Sequence, residues 1–391
     1  MKNPAIYPRM LALIILSMAA LMIDGCSQQS RQTQQQEATE SPTNPSANPM
    51  LAFGSCLRQW QPQPVWQGIA ALKPQAFIFT GDNAYTDVGS YAGQPEPKRI
   101  HQAYRDLADA PDYRNFAQFT RDNPTAIYAT WDDHDYGKND GGAEYPHKLA
   151  SKQAFLNFFN LEKTASGDAG QAGIYQSDIR LINGLRVQLL LLDTRSFRSP
   201  LKKSPNKSHC SPTGTVANTD PEATILGSEQ WQWLENELRQ TADVRIVISS
   251  IQVIPTEHCF EKWANFPHER QRLFAVLKKS AAEGVIFISG DRHLAEISRL
   301  PAHAQPENLP YPLYEITASG LNSAMGLLAS ARREANRYRA HKHNVTADNF
   351  GTIEFIGQGK NTELRLQIRN TEARILQQSI VKLDSLRKSG R

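Results

Sequence analysis

Four short segments combine carboxylates with other side chains that bind metals: GSC, GDNAY, DDHD and GDRH. Carboxylate oxygens suit calcium, magnesium or manganese, whereas a thiolate, a phenolate and an imidazole suit iron or zinc. Two metal ions about 3.5–4 Å apart can clamp the attacking and leaving oxygens of a phosphate ester. We therefore expect a two-metal hydrolytic site. Its candidate ligands are Cys56, Asp82, Tyr85, Asp133, Asp291 and His293.

Each of these segments follows a predicted strand, at 51–53, 76–80, 126–131 and 285–289. Ligands of open α/β sheets bind beyond the carboxyl ends of the strands. Any single segment has a simpler interpretation as a loop carboxylate that bonds to backbone amides. Four segments at four strand ends favour one shared site.

The remaining pattern alternates between strands and helices. Apolar spacing predicts helices at 62–72, 98–109, 148–160, 228–239 and 268–282. Further strands are predicted at 186–192, after an Asn183-Gly184 hairpin turn, and at 245–251. The stretch 352–368 alternates as edge-like strands do. Near-continuous apolar strands predict an α/β domain with a sheet covered on both faces, and we expect one catalytic domain over 50–391.

The order strand-Cys, GDxxY, DDHD and GDxH resembles the PhoD-like branch of the calcineurin-type metallophosphoesterases. Supporting segments are LDTR at 192–195, LGSEQWQWLENEL and KWANFPHERQRL, and the resemblance spans about 51–355. The usual superfamily pattern is DxH, GDxx, GNHD and GHxH. Cys56, Asp133 and Asp291 depart from it as the PhoD branch does. The resemblance implies a four-layer α/β/β/α sandwich of mixed sheets flanked by helices.

The resemblance also implies the ligand roles and the activity. Asp82 would bridge the two metals, and Asp133 and Asp291 would help to hold calcium. The implied iron site is completed by Cys56, Tyr85 and His293. We expect Fe³⁺ and Ca²⁺, with zinc, manganese or magnesium as alternatives. The implied enzyme is an alkaline phosphatase or phosphodiesterase that uses a metal-bound hydroxide on small-molecule, lipid or polymer phosphate esters.

Three further residues are expected to act on the substrate. His134 would donate a hydrogen bond to a phosphoryl oxygen or to the leaving group. Arg195 and Arg292 would neutralise substrate charge, since a guanidinium fork matches phosphate geometry. Asp132 and Asp135 are expected to orient their neighbours.

Several of these residues have simpler interpretations. Cys56 is also consistent with a small buried apolar residue, Tyr85 with a core residue and Arg195 with a structural ion pair. Cys210 and Cys259 either form a disulfide, which export permits, or remain two unrelated buried thiols.

The first residues are typical of an export signal. Lys2 and Arg9 precede an apolar run over 10–23, and Gly25 and Cys26 follow it. This pattern resembles a bacterial lipoprotein signal at 1–25, with Cys26 lipidated; plain export is the alternative. Residues 26–49 are polar and predict a flexible tether. We therefore expect a protein anchored by lipid at the periplasmic or envelope face.

The formal net charge is +4, with both signs mixed along the chain, which argues against nucleic-acid binding. A basic cluster over 332–343 is interpreted as a solvated helix face or, second, as a site that attracts anions. We expect a monomer. Two other functions stay open: a non-catalytic lipoprotein binding module with the same fold, and a two-metal hydrolase of acyl or amide bonds.

Overall fold

Two mixed sheets of six strands each form the centre of the protein, and helices pack on their outer faces. The computed structural model describes residues 48–388 apart from 95, 162–170, 205–209, 211–213 and 327–331. The described residues belong to one compact unit, Pro45–Arg391.

The elements follow in chain order. The strands are β1 (Met50–Gly54), β2 (Ala76–Thr80), β3 (Ala126–Thr130), β4 (Gln176–Ile182), β5 (Leu185–Leu191), β6 (Lys202–Lys203), β7 (Thr215–Val216), β8 (Val244–Ile248), β9 (Val285–Ser289), β10 (Ala295–Leu300), β11 (Leu313–Ala318), β12 (Phe350–Ile356), β13 (Glu363–Arg369) and β14 (Ile375–Lys382). The helices are α1 (Val65–Leu72), α2 (Lys98–Asp109), α3 (Pro111–Asp122), α4 (Asp133–Tyr136), α5 (Lys148–Phe159), α6 (Gly227–Glu237) and α7 (Pro267–Lys279).

Each large sheet has a parallel centre. The first runs β14-β13-β12-β1-β2-β3, with β1, β2 and β3 parallel and the other pairs antiparallel. The second runs β10-β11-β9-β8-β5-β4, with β11, β9, β8 and β5 parallel. The parallel strands direct their carboxyl ends, and the residues that follow them, to one edge of each sheet.

Side-chain alternation along the strands separates the layers. Leu51 and Phe53 of β1 point into a core shared by both sheets, whereas Ala52 packs under the helices. Leu189 and Leu190 of β5 divide in the same way between the shared core and the side of α6 and α7. This period of two produces the α/β/β/α layers, so the four-layer prediction is confirmed. The strands divide between two sheets, and each sheet is covered on both faces, by helices on one side and by the other sheet on the other.

Most predicted elements are present, with some differences. The predicted strands 76–80 and 285–289 and the helix 98–109 match β2, β9 and α2, and β4 and β5 pair around Asn183-Gly184. The stretch 352–368 holds two inner strands, β12 and β13, and β14 forms the edge instead. The segment 334–343 forms turns and bridges rather than a helix face; Arg337 pairs with Glu257, and Arg339 pairs with Glu296.

The predicted signal at 1–25 and the tether at 26–49 lie outside the described residues, except Asn48 and Pro49, and stay predictions. None of the described helices has the length and apolar character needed to cross a bilayer.

Candidate metal centre

The chain turns sharply where the strands end. Cys56 after β1, Asp82 after β2, and Asp291 and His293 after β9 have positive φ angles of 61°, 51°, 68° and 53°. Such left-handed backbone is uncommon outside glycine and is concentrated at functional sites. Gly81 has φ 106°, and a β-carbon there would lie 2.6 Å from that of Asp132. These turns lie in three of the four loops that carry candidate ligands, and the turn at Gly81 packs against the fourth, at Asp132.

One group of side chains, which we name the Cys56 cluster, contains Cys56, Asp82, Tyr85 and His293. The Cys56 Sγ lies 3.5 Å from Asp82 Oδ2. The Tyr85 hydroxyl lies 3.2 Å from that carboxylate oxygen and 3.2 Å from His293 Nε2. Ligand atoms of Cys56, Asp82 and His293 all fall within 4.8 Å of one another. The candidate soft ligands are therefore brought together around the Asp82 carboxylate.

A second group, the Asp133 cluster, contains Asp132, Asp133 and Asp291, with oxygens within 4.8 Å of one another. Asp132 Oδ2 and Asp133 Oδ1 are buried and have no hydrogen-bond partner among the described residues. Buried carboxylate oxygens normally have partners, so unpaired ones indicate a missing group. Asp82 also lies within 4.8 Å of the ligand atoms of Asp133 and His134, which joins the two clusters.

His134 lies between the clusters at the start of α4. Its backbone N–H donates to Asp82 Oδ1 at 3.3 Å, and its Nδ1 lies 2.6 Å from Asp87 Oδ1. The ring packs against Tyr85 with centroids 4.3 Å apart. Because the Asp87 carboxylate accepts a hydrogen bond from Nδ1–H, it orients the ring and leaves Nε2 for another partner.

Asp135 makes the contacts that its predicted orienting role requires. Its carboxylate accepts hydrogen bonds from the backbone N–H groups of Asn83, at 3.1 Å, and of Asp132, at 2.6 Å. It thereby ties the loop after β2 to the loop after β3. Asp132 differs from Asp135, because it pairs with Arg195 and is also a member of the Asp133 cluster.

The two arginines have different surroundings. Arg195 is fully buried; Nε donates to Asp132 Oδ1 at 2.7 Å, and Nη1 donates to Glu261 Oε2 at 2.6 Å. This arrangement favours the structural ion pair over direct contact with substrate. Arg292 lines the cleft, and its Nη2 donates to Glu334 Oε2 at 2.6 Å.

A cleft of about 300 Å³ opens over both clusters. It is lined by Asp82, Asp133, His134, Asn139, Asp140, Thr215, Cys259, Phe260, Glu261, Asp291, Arg292, His293 and Met325. Cys210 and Cys259 form a disulfide, which confirms the pairing considered from the sequence. The bond fixes one wall of the cleft.

Burial controls the proton affinities in the Cys56 cluster. It raises the pKa of the Cys56 thiol well above the ordinary value, and the Asp82 charge raises it further. Burial also raises the pKa of Asp82 and of Tyr85. It lowers the pKa of His293 to about 4, so the imidazole is neutral. His293 Nδ1 bonds to the Ser323 carbonyl oxygen, which leaves Nε2 as an acceptor. A nearby cation would stabilise the deprotonated thiol and phenol, so these donors fit a metal.

The Asp133 cluster differs in charge. Burial opposes ionisation of Asp133, yet the charges of His134 and Arg195 lower its pKa to about 2. Burial and the Asp132 charge raise the pKa of Asp291. Partial burial lowers the pKa of His134, but the charges of Asp133 and Asp82 outweigh it and raise that pKa well above the ordinary value. A carboxylate-rich site with unpaired oxygens fits a hard cation.

Three contributors to the site were not predicted. Asp87 pairs with His134 and comes two residues after Tyr85, where no strand end marks it. Glu261 holds Arg195 from a loop without a motif. Ser319 follows β11; its Oγ lies 3.1 Å from Cys56 Sγ and accepts the His293 N–H at 2.7 Å. The strand-end rule that located the other loops also applies to Ser319, but β11 itself was missed.

Comparison with known proteins gives two matches of different kinds. Alkaline phosphatase D of Bacillus subtilis (strain 168) is 27% identical over 282 residues, which cover 64% of this chain and 46% of that protein. The match thus spans less than half the length of that relative. A solved structure of PhoD superposes with a TM-score of 0.60 at 18% identity, covering 89% of this chain and 73% of that one. This likeness shows a shared fold. Residues 51–374 match the family model of the PhoD-like phosphatases, and the chain belongs to that family.

Proposed function

We propose that this protein is a metal-dependent hydrolase of phosphate esters. The observation that carries the proposal is the junction of two unlike ligand clusters at Asp82, within one cleft. Membership of the PhoD-like phosphatase family supports the same reaction class. An enzyme that lost its chemistry would have no reason to keep buried, unpaired carboxylate oxygens at such a position.

In this proposal the two clusters hold different ions. The Cys56 cluster would hold the softer ion, with iron as the first candidate, and the Asp133 cluster would hold calcium. Asp82 would belong to both sites. When bound, the ions would activate the attacking water and stabilise negative charge on the phosphoryl oxygens.

The protein's own residues would orient the ester. His134, held at Nδ1 by Asp87, would direct Nε2 toward a phosphoryl or leaving-group oxygen and donate its proton as charge develops. Arg292 would offer a guanidinium N–H to a substrate oxygen, since it lines the cleft. Arg195 would act through Asp132, which it holds by ion pairing.

The amino-terminal pattern supports a proposal about place. A basic start, an apolar run and Cys26 favour export and a lipid anchor at the envelope, where the enzyme would act on external organic phosphates. Mass spectrometry of the protein purified from membranes tests this: an unmodified Cys26 would overturn the anchor.

Elemental analysis together with hydrolysis of nitrophenyl phosphate and bis-nitrophenyl phosphate tests the activity. We expect iron plus calcium with turnover, and the ratio of the two rates separates a monoesterase from a diesterase. Absence of both tightly bound metal and turnover, even after metal addition, would favour a binding module instead.

A further inference from the structure

Phe260 is an unusual wall for a cleft lined largely by charged groups. Its side chain is 48% exposed. Among the described residues, the large exposed apolar side chains are Trp60, Leu149, Leu181, Phe260, Ile375, Leu376 and Ile380. Of these, Phe260 is the one that lines the cleft. An apolar side chain placed among polar ones in a binding cleft indicates a contact with the ligand.

The exposure of Phe260 does not come from a loosely held backbone. Its N–H donates to His258 Nδ1 at 3.3 Å, and its carbonyl oxygen accepts from Lys262 Nζ at 3.0 Å and from Thr215 Oγ1 at 2.9 Å. The preceding residue, Cys259, is in the disulfide. The ring is therefore held in place before any ligand arrives, and such rigid aromatic anchors bind at low entropic cost.

One face of the ring is already covered. The Arg292 guanidinium carbon lies 4.0 Å from the ring centroid of Phe260. Arg292 is itself buried and tied to Glu334, so this stack is fixed. A cation on one face draws electron density from the ring. The His258 ring lies 6.3 Å away between centroids, and the exposed part of Phe260 can stack on a second flat group.

We propose that Phe260 stacks on a planar aromatic ring in the organic part of the phosphate ester. The inference rests on the proposed hydrolase activity and names its substrate class. Because Phe260 lines the same cleft as members of both ligand clusters, an ester stacked on Phe260 would keep its phosphate close to the proposed metal sites. The aromatic ring is either a nucleobase or an aryl group, and the chemistry of stacking is common to both.

Two pairs of substrates separate the effect of an aromatic ring in the substrate from the effects of the leaving group and its size. A nucleoside 5′-monophosphate and ribose 5-phosphate share the same leaving alcohol and differ in the base. Benzyl phosphate and cyclohexylmethyl phosphate have leaving groups of similar size and differ in planarity. Because stacking of a base on an aromatic side chain tightens binding by about fivefold or more, we expect a preference of about tenfold in kcat/KM for the planar member of at least one pair.

The variants are Phe260→Ala, Phe260→Leu and, as a surface control, Leu149→Ala on α5. Both Phe260 variants should lose the planar preference, which is the ratio of kcat/KM within each pair, so a change common to both members of a pair cancels. Phe260→Leu keeps an apolar side chain but removes the aromatic ring. Loss of the planar preference in this variant would therefore show that stacking, and not simple hydrophobic contact, causes the preference. A preference found only in the nucleotide pair would identify the ring of the substrate as a nucleobase, and one found only in the benzyl pair would identify it as an aryl group. Unchanged preferences in Phe260→Ala, or none in the native protein, would overturn the proposal.

Binding of non-hydrolysable phosphonates separates this inference from the proposed activity. Calorimetry should show that the native protein binds benzylphosphonate at least fivefold more tightly than cyclohexylmethylphosphonate, and that Phe260→Ala binds them alike. Equal binding by the native protein would overturn the stacking inference even if phosphate esters are hydrolysed. Ring-selective binding without any turnover would overturn the activity and leave the stacking site standing.

Discussion

The Cys56 cluster and the Asp133 cluster meet at Asp82 but are supported in different ways. Left-handed turns occur in both clusters, but the Cys56 cluster is held by contacts among its own donors, with Ser319 beside the thiol. The Asp133 cluster is stabilised by buried ion pairs: Arg195 pairs with Asp132, a member of the cluster, and also with Glu261. We therefore expect the two clusters to respond to different mutations, the Cys56 cluster to changes in its donor atoms and the Asp133 cluster to changes in its buried ion pairs.

Asp82→Asn changes the residue that is common to both clusters, so it should have the largest effect on kcat. It removes one charge from each proposed site, and metal ions supply several kcal/mol of transition-state stabilisation, so we expect kcat to fall about a thousandfold or more. Steady-state kinetics measures this, with circular dichroism as the check on folding. Asp122→Asn is the control, since Asp122 is an exposed residue at the end of α3. A variant with near-native kcat would disprove the shared role.

Cys56→Ser and Asp133→Asn separate the clusters. Mutation of a residue that only hydrogen-bonds to a metal ligand lowers metal affinity about 10- to 100-fold. Loss of a ligand itself should therefore lower the affinity for the ion it binds by about 100-fold or more. We expect Cys56→Ser to lose iron and keep calcium, and Asp133→Asn to do the reverse. Elemental analysis after dialysis gives both contents. Equal loss of the two metals in both variants would contradict the division.

Glu261→Gln tests the ion-pair chain and should have the smallest effect. Glu261 lies 2.6 Å from Arg195 and 2.8 Å from Arg198, and it touches no carboxylate of the Asp133 cluster directly. As a positioning residue, it should lower kcat about tenfold and reduce calcium content while iron is retained. Glu235→Gln, which removes two surface ion pairs, with Arg272 and Lys279, is the control. Iron and calcium lost together would place Glu261 in general stability instead.

The sequence pattern located the site better than it located the layers. Glycine or a small residue after an apolar strand is a local signal, which is why the loops at Cys56, Asp82 and Asp291 were predicted. Division of the strands between two sheets is a long-range property: β1 pairs with β12 and β5 pairs with β8, and alternation within one strand carries no such information. Asp87 and Glu261 were missed for the same reason, because their roles depend on partners distant in sequence.

The left-handed turns at the strand ends also limit how the site can be re-engineered. Asparagine, aspartate and histidine tolerate this backbone better than most residues, and β-branched residues tolerate it worst. Asp82, Asp291 and His293 already come from that small set. A library that seeks a new metal preference should therefore vary these positions within three residue types. Tyr85 and Asp133 do not have this backbone restriction in the structure, so they are the positions where a wider choice of donors is compatible with the fold.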